Sequence, residues 1–235
     1  MTKAKDVQKE LEILGDPQVA GFSQRFFKTG AGQYGEGDVF RGIRVPVLRR
    51  VAKDHRQLSR SETLKLLHSP YHEDRVVALL ILIHHYNDAN DAVRTQVYDS
   101  YLKHARLVNN WDLVDCSAPQ IVGAHLWEKD RAVLYQLARS SNLWERRIAI
   151  IATFHFIKRG EVTDTLKLAL ILLSDTEDLI HKAVGWMLRE AGKRDLERTE
   201  SFLREHYQRM PRTMLRYAIE RFPERKRLRY LKGRV

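Results

Sequence analysis

The chain has 235 residues, and its 41 Lys and Arg against 30 Asp and Glu give a formal net charge of +11. Hydrophobic residues make up 43%, enough for a packed core, which excludes a disordered chain. The single cysteine, Cys116, excludes an intrachain disulfide framework and a cysteine-rich metal site. Since no run of about 18 uncharged apolar residues occurs, no membrane-spanning helix is predicted.

The positive charge favours a polyanionic partner. Nucleic acid is the first candidate and an anionic membrane surface is the second, whereas charges dispersed over solvated helix faces would need no partner. The charged N-terminal stretch MTKAKDVQKELEIL lacks the apolar core of a signal peptide. We therefore expect a cytoplasmic protein. We further expect a monomer that is associated with the bacterial nucleoid and has no membrane partner.

Helical periodicity runs from end to end of the chain, and no segment alternates convincingly as a strand does. Segments 76–86, 147–157 and 166–173 are too apolar for surface helices, so we expect them to be buried. Breakers such as Ser69-Pro70 and Asn109-Asn110 fall between the helical segments. The pattern predicts an all-α fold.

Four helical segments repeat one another: DRVVALLILI (74–83), RRIAIIATFH (146–155), HKAVGWMLRE (181–190) and LRYAIERFPE (215–224). Their spacing is about 35 residues once an intervening repeat near position 111 is included, which is typical of two-helix solenoid units. We expect a HEAT-like helical-repeat solenoid of about six antiparallel helical pairs, with residues 1–235 forming a single domain. Each segment has a basic residue at its second position: Arg75, Arg147, Lys182 and Arg216.

Equivalent helices line one face of a solenoid, so these basic residues predict a stripe in a concave basic groove that contacts phosphates. The alternative is a set of unrelated surface charges. The basic C-terminal end, 224–235, is either a solvated helix end or an additional DNA contact.

The repeat near position 111 has Trp111, Asp112 and Asp115 where the others have a basic residue. Trp111 and Asp115 are four residues apart and share a helix face. A carboxylate there repels phosphate and attracts a cation; alternatively, Asp112 caps a helix and Trp111 packs into the core. Trp186 follows Lys182 by four residues, and it either contacts sugars and bases or packs between repeats.

The segments NWDLVD, LWERRIAI and HKAVGWMLREAGKRD resemble the AlkD-type DNA alkylation repair family, as does FFKTGAGQYGEGDVFRGIRVPVLRRVAK near the N-terminus. The resemblance covers about 22 to 222. It implies a monofunctional DNA glycosylase of base excision repair, a hydrolase that removes purines alkylated at N3 or N7 from duplex DNA without flipping the lesion into a pocket. It places the catalytic carboxylate on Asp115 and the active-site tryptophans on Trp111 and Trp186.

The resemblance also assigns an arginine role to Arg147 and to Arg189 of the motif. Together with the stripe and the N-terminal segment, the expected DNA-binding residues are Arg44, Arg75, Arg147, Lys182, Arg189 and Arg216. No metal and no cofactor is expected. Asn110 stands where the best-studied branch of the family has a second tryptophan, and the Gly-rich loop 30–37 is longer than in that branch, so the substrate range stays open.

The chemistry of such a substrate explains how one carboxylate suffices. Glycosidic cleavage builds oxocarbenium character on the sugar, and a base alkylated at N3 or N7 is already cationic, so it leaves as a neutral molecule without a proton donor. Asp115 would stabilise the developing positive charge, and the indoles of Trp111 and Trp186 would add cation–π stabilisation. Two alternatives remain: a non-catalytic HEAT-repeat DNA-binding protein and a protein–protein scaffold.

Overall fold

Apolar residues spaced three and four apart fold this chain into α-helices, as the periodicity predicts. The structure is a computed structural model, and it describes residues 2–235. Within this range the one strand-like feature is an isolated bridge between Val39 and Tyr71. The all-α prediction is therefore confirmed.

The helices form two compact units, of which the first ends at Ser117 and the second begins at Ala118. The first unit contains a short 3-10 turn, Ala105–Leu107, and the following helices: α1 (Ala4–Ile13), α2 (Pro17–Phe26), α3 (Val45–Asp54), α4 (Arg60–Leu67), α5 (His72–Asn87), α6 (Asp91–Lys103) and α7 (Trp111–Ala118), which reaches the boundary. That both units belong to one repeat domain stays a prediction.

The second unit opens with a π-helical stretch, Pro119–Gly123, that continues directly from α7. Its helices are α8 (Ala124–Leu126), α9 (Ala132–Leu137), α10 (Leu143–Ala152), α11 (Phe154–Ile157), α12 (Thr163–Ile171), α13 (Asp178–Gly192), α14 (Leu196–His206), α15 (Arg212–Ala218) and α16 (Glu224–Leu231). The repeat spacing is visible in the helix starts, since α7, α10, α13 and α15 begin about 35 residues apart.

Each unit is built around a long central helix that contributes many core residues, α5 in the first unit and α13 in the second. In the first unit, α5 packs against α3, α4 and α6; in the second, α13 packs against α10 and α15. Segments 76–86 and 147–157 supply many of the fully buried residues, as predicted. Segment 166–173 is only partly buried: Leu168 and Ala169 lie in the core, but Leu170 faces solvent because α12 covers the core with one side.

No helix within residues 2–235 has both the length and the apolarity needed to cross a lipid bilayer.

Candidate functional site

Helix α7 begins at Trp111 because a buried asparagine holds its first turn. The side chain of Asn110 accepts a hydrogen bond from the Trp111 amide at 2.8 Å, and its Nδ2 donates to Asp38 Oδ2 at 3.1 Å. Trp111 and Asp115 are then one turn apart on α7, and both are half-buried. The expected pairing of an indole and a carboxylate on one helix face is therefore present in the first unit.

The indole of Trp111, on α7, packs against aromatic side chains at the C-terminal end of α2. It stacks on Phe27 at a centroid distance of 5.2 Å and meets the edge of Phe26 at 6.0 Å. Phe26 in turn lies 6.1 Å from Phe22, and these two rings are 54% and 62% exposed. Trp111 is thus packed on one side and borders an exposed aromatic patch on the other, which we call the aromatic surface (Phe22, Phe26 and Trp111).

A buried chain of charged groups lies behind Trp111. His72, the first residue of α5, has its Nε2 2.8 Å from Asp112 Oδ2 and its Nδ1 3.3 Å from Asp38 Oδ2. Burial disfavours the imidazolium, but the hydrogen bonds to the two carboxylates outweigh it and raise the pKa of His72 to about 9. At neutral pH His72 is therefore charged, and its ring stacks on Phe40 at 4.6 Å.

Arg75 belongs to the same buried chain rather than to a surface stripe. It is 6% exposed, its Nη2 donates to Asp38 Oδ1 at 2.5 Å, and its Nη1 donates to the carbonyls of Ser69 and Pro70. Although burial opposes it, the hydrogen bond from His72 and the charge of Arg75 hold the pKa of Asp38 below its usual value. These internal bonds and the low exposure argue against the phosphate contact expected of Arg75, which stays a prediction.

Helix α7 carries two carboxylates, Asp112 and Asp115. Asp112 accepts from His72 with one oxygen and from the Leu113 amide with the other, at 2.9 Å. Its carboxylate is therefore part of the chain of charged groups and also contacts the first turn of α7, whereas Asn110 is the residue that precedes the helix. Asp115, one turn from Trp111, is the carboxylate that the spacing assigns to the aromatic surface. Burial raises the pKa of the Cys116 thiol, and the nearby charges of Asp112 and Asp115 add to this effect.

In the second unit, Trp186 lies on α13, four residues after Lys182, and is half-buried. Its ring is 5.7 Å from that of Phe154. The preceding Gly185 explains why a glycine stands in this motif: a Cβ there would lie 2.5 Å from both the Met214 carbonyl oxygen and the Tyr217 Cβ. The glycine lets α15 pack directly on α13, beside Trp186.

Arg147 is also an internal residue. It is 4% exposed, and its Nη1 donates at 2.5 Å to the carbonyl of Leu179, the second residue of α13. Its guanidinium thus ties α10 to the start of the next repeat helix. As with Arg75, burial and an internal hydrogen bond argue against the expected phosphate contact of Arg147, which stays a prediction.

The other four expected DNA-binding residues have accessible side chains. Arg44, the residue before α3, and Arg216, on α15, are exposed. Lys182 is partly exposed and pairs with Asp178 at 2.7 Å. Arg189 forms ion pairs with Glu190 and Glu220, the latter a residue just beyond α15. The predicted stripe is therefore split between buried arginines and accessible basic side chains.

Sequence reasoning missed two groups of residues. One is the buried pair of His72 and Asp38. Its sequence signal is the polar start of the apolar helix α5, His72–Asp74, because buried polar residues at the edge of a core need partners. The other is Phe22 with Phe26, whose four-residue spacing on α2 indicates a common face. Neither group is among the site residues that the sequence predicts.

The predicted site residues are distributed over both units. Trp111 and Asp115 lie in the first unit, and Arg147 and Trp186 lie in the second. That all four line one concave face stays a prediction.

Comparison with known proteins gives a match to a protein family and matches to solved structures. A family model described as "DNA alkylation repair enzyme" matches residues 7–222. The solved structure of a protein from Enterococcus faecalis, described as a predicted DNA alkylation repair enzyme, matches with a TM-score of 0.68 and 16% identity, covering 89% of this chain and 97% of that chain. At this identity the structural likeness shows a shared fold. Among curated proteins, none matches the sequence.

Proposed function

Because the chain belongs to the DNA alkylation repair enzyme family, we propose that it is a DNA glycosylase that hydrolyses the N-glycosidic bond of cationic N3- or N7-alkylated purines in duplex DNA. The observation that carries this proposal is the pair of Trp111 and Asp115, one turn apart on α7, where Trp111 contacts the exposed Phe26 and Phe26 stacks on Phe22. An anionic group beside aromatic faces suits a substrate that develops positive charge.

The proposed reaction breaks the bond between C1′ of the deoxyribose and the purine nitrogen. The bonding electrons go to the cationic base, which leaves neutral, while positive charge builds on C1′ and the ring oxygen. A water oxygen then bonds to C1′, and the water releases a proton to solvent. Asp115 stabilises the sugar cation electrostatically and orients the water. Since the base needs no proton to leave, no second carboxylate is required.

The tryptophans have a different task in this proposal. The indole faces of Trp111 and Trp186 stabilise the cationic nucleotide through cation–π interaction and exclude water from the bond that breaks. The half-buried positions of both rings support this task, since each is held by a neighbouring aromatic ring and still partly accessible. The motif resemblance adds the expectation that the lesion stays in the duplex rather than being flipped into a pocket.

DNA binding is assigned to the accessible basic residues of a HEAT-like solenoid with a concave basic groove. Arg44 and Arg216 contact phosphates directly, and Lys182 and Arg189 exchange surface ion pairs for phosphate contacts. The net charge of +11 supports a polyanionic partner. Arg75 and Arg147 instead maintain the packing of the helices that present these groups.

The test is base release from duplex DNA containing 7-methylguanine or 3-methyladenine, with undamaged duplex as the control substrate. We expect the wild-type protein to release both alkylated bases and no normal base in single-turnover reactions. Duplex binding without release from either adduct would refute the glycosylase and leave a non-catalytic DNA-binding protein. Absence of both release and duplex binding would leave a protein–protein scaffold.

A further inference from the structure

His72 is a buried titratable residue that the proposed excision chemistry does not use. Each of its ring nitrogens faces a carboxylate, Nε2 that of Asp112 and Nδ1 that of Asp38. A neutral imidazole carries a proton on only one nitrogen, so its other nitrogen would direct a lone pair at a carboxylate oxygen. Only the imidazolium donates to both carboxylates, and the geometry of the contact therefore requires the charged form.

The two carboxylates connect His72 to the chain on both sides of Trp111. On one side, Asp112 directly follows Trp111 as the second residue of α7. On the other side, Asp38 accepts a hydrogen bond from Nδ2 of Asn110, and Oδ1 of Asn110 accepts one from the Trp111 amide. The backbone of Trp111 is thus held through its preceding and its following residue, and both connections end at the His72 ring.

A third connection between His72 and Trp111 consists of aromatic rings. Phe27, the residue after α2, contacts both, with centroid distances of 5.1 Å to His72 and 5.2 Å to the indole. The indole stacks on Phe27 at an interplanar angle of 22°. Phe40 stacks on Phe27 at 5.1 Å and on His72, so the four rings form one packed cluster. A shift of the imidazole would therefore reach the indole through ring contacts as well as through the backbone.

The charges around His72 balance only while the imidazolium is present. The charged groups that face it are the carboxylates of Asp38 and Asp112 and the guanidinium of Arg75, which donates to Asp38. Two negative charges thus meet two positive ones. Although burial lowers it, the hydrogen bonds to both carboxylates raise the pKa of His72 to about 9. Loss of the proton in mildly alkaline solution leaves a carboxylate without its cation beside the indole, which is costly where solvent is largely excluded.

We propose that His72 is a positioning residue of the candidate site, whose imidazolium bridges Asp38 and Asp112 and so holds the Trp111 indole where it meets the sugar of the damaged nucleotide. The effect on catalysis rests on the proposed glycosylase function, whereas the effect on the placement of the indole does not. When His72 loses its proton, one of the two hydrogen bonds breaks and the indole loses its fixed position. A displacement of about 1 Å is enough to slow a reaction strongly.

The first test follows the indole in the free protein. Incorporated 5-fluorotryptophan gives one fluorine NMR resonance for each of the four tryptophans, and Trp111→Phe identifies that of Trp111. We expect this resonance to titrate with a midpoint near pH 9, since His72 loses its proton there. It should not titrate in His72→Gln, which is neutral throughout, or in His72→Lys, whose ammonium stays charged up to about pH 10. The buried Trp144 of the second unit is the internal control.

The second test measures single-turnover release of 7-methylguanine over the same pH range. Each rate is divided by that of His72→Lys at the same pH, which cancels pH effects on the substrate. We expect His72→Lys to keep most of the wild-type rate near pH 7 and His72→Gln to be about tenfold slower, since its indole is misplaced. The relative rate of the wild type should fall toward that of His72→Gln as pH rises through about 9. A purely structural role of His72 would lower stability without this pH profile.

The outcomes distinguish the positioning role from the glycosylase function. A Trp111 resonance that does not titrate in the wild type, or that titrates equally in His72→Gln, would overturn the positioning role. A resonance that titrates as expected, without base release by the wild type, would support the positioning role and refute the glycosylase. Equal release by wild type and His72→Gln at every pH would overturn the effect on catalysis. The wild-type titration requires no substitution at position 72, so it stays decisive if a variant does not fold.

Discussion

The imidazole Nε2 of His72, at the start of α5, lies 2.8 Å from Oδ2 of Asp112, the second residue of α7. The His72 side chain is 3% exposed and the Asp112 side chain 23%, so the contact is a partly buried charged pair. It joins the N-terminal ends of two helices that are 40 residues apart in sequence. Since Trp111 directly precedes Asp112, this pair also positions the backbone that carries the Trp111 indole.

The first prediction concerns the pH dependence of folding. The pKa of His72 is about 9 in the folded protein against 6.5 for the free side chain, so the folded state binds this proton more tightly. The stabilisation is complete below about pH 6.5 and is lost as pH rises through about 9. It amounts to at most about 3 kcal/mol.

Urea unfolding of wild type and His72→Gln between pH 6 and 10 checks this expectation. The free energy difference between the two proteins should shrink as pH rises across that interval. A difference that stays constant with pH would show that His72 is not charged in the folded protein.

The second prediction concerns the carboxylates of α7. Asp115→Asn keeps the side-chain shape and removes the charge that is proposed to stabilise the sugar cation. Excision of 7-methylguanine should slow by on the order of 10²–10³, whereas duplex affinity should be unchanged or higher, because a charge that repels phosphate is removed. Single-turnover base release and duplex binding are the two measurements.

Asp112→Asn is the matched control, three residues away on the same helix. It removes the partner of the His72 imidazolium and should lower the free energy of unfolding by about 2 kcal/mol. Its excision rate in the folded state should fall much less than that of Asp115→Asn. Equal excision rates for wild type and Asp115→Asn would remove Asp115 from the mechanism.

The third prediction separates accessible from buried basic residues. For undamaged duplex, the slope of log affinity against log salt changes by roughly 0.9 for each phosphate that the protein no longer neutralises. Arg44→Gln and Arg216→Gln should each make the slope less steep by about this amount without loss of stability. Arg75→Gln should leave the slope unchanged and destabilise the fold by about 3 kcal/mol, since Asp38 loses its buried ion pair.

Salt titrations of duplex binding, with thermal melts of the same proteins, provide both readouts. A reduced slope for folded Arg75→Gln would place its guanidinium on DNA after all.

The fourth prediction concerns the packing beside Trp186. Gly185→Ala places a methyl group 2.5 Å from the Met214 carbonyl oxygen, so α15 must move away from α13. The expected loss of stability is about 2 kcal/mol, because overpacking outweighs the better helix propensity of alanine. Gly192→Ala, in the last turn of the same helix, meets only Thr199 at 3.6 Å and should be neutral or slightly stabilising. Thermal melts measure both, and equal melting temperatures would contradict the close approach.

The amino-acid sequence by itself determined the all-α class, the helix that begins near position 111 and the spacing of Trp111 and Asp115. These properties follow from local rules, since the apolar period and the side-chain spacing along one helix do not depend on distant residues. The same local rules could also have predicted that Phe22 and Phe26 share a helix face, because they are four residues apart.

Only the tertiary structure decided what each charged residue does. Arg75 and Arg216 occupy equivalent places in the repeat pattern, yet Arg75 is buried against Asp38 while Arg216 is exposed. Asp38 comes from the loop after α2, and its approach to α5 depends on packing between segments far apart in sequence. Helical position specifies which side chains share a face, but burial and ion pairing depend on what the rest of the chain places against that face.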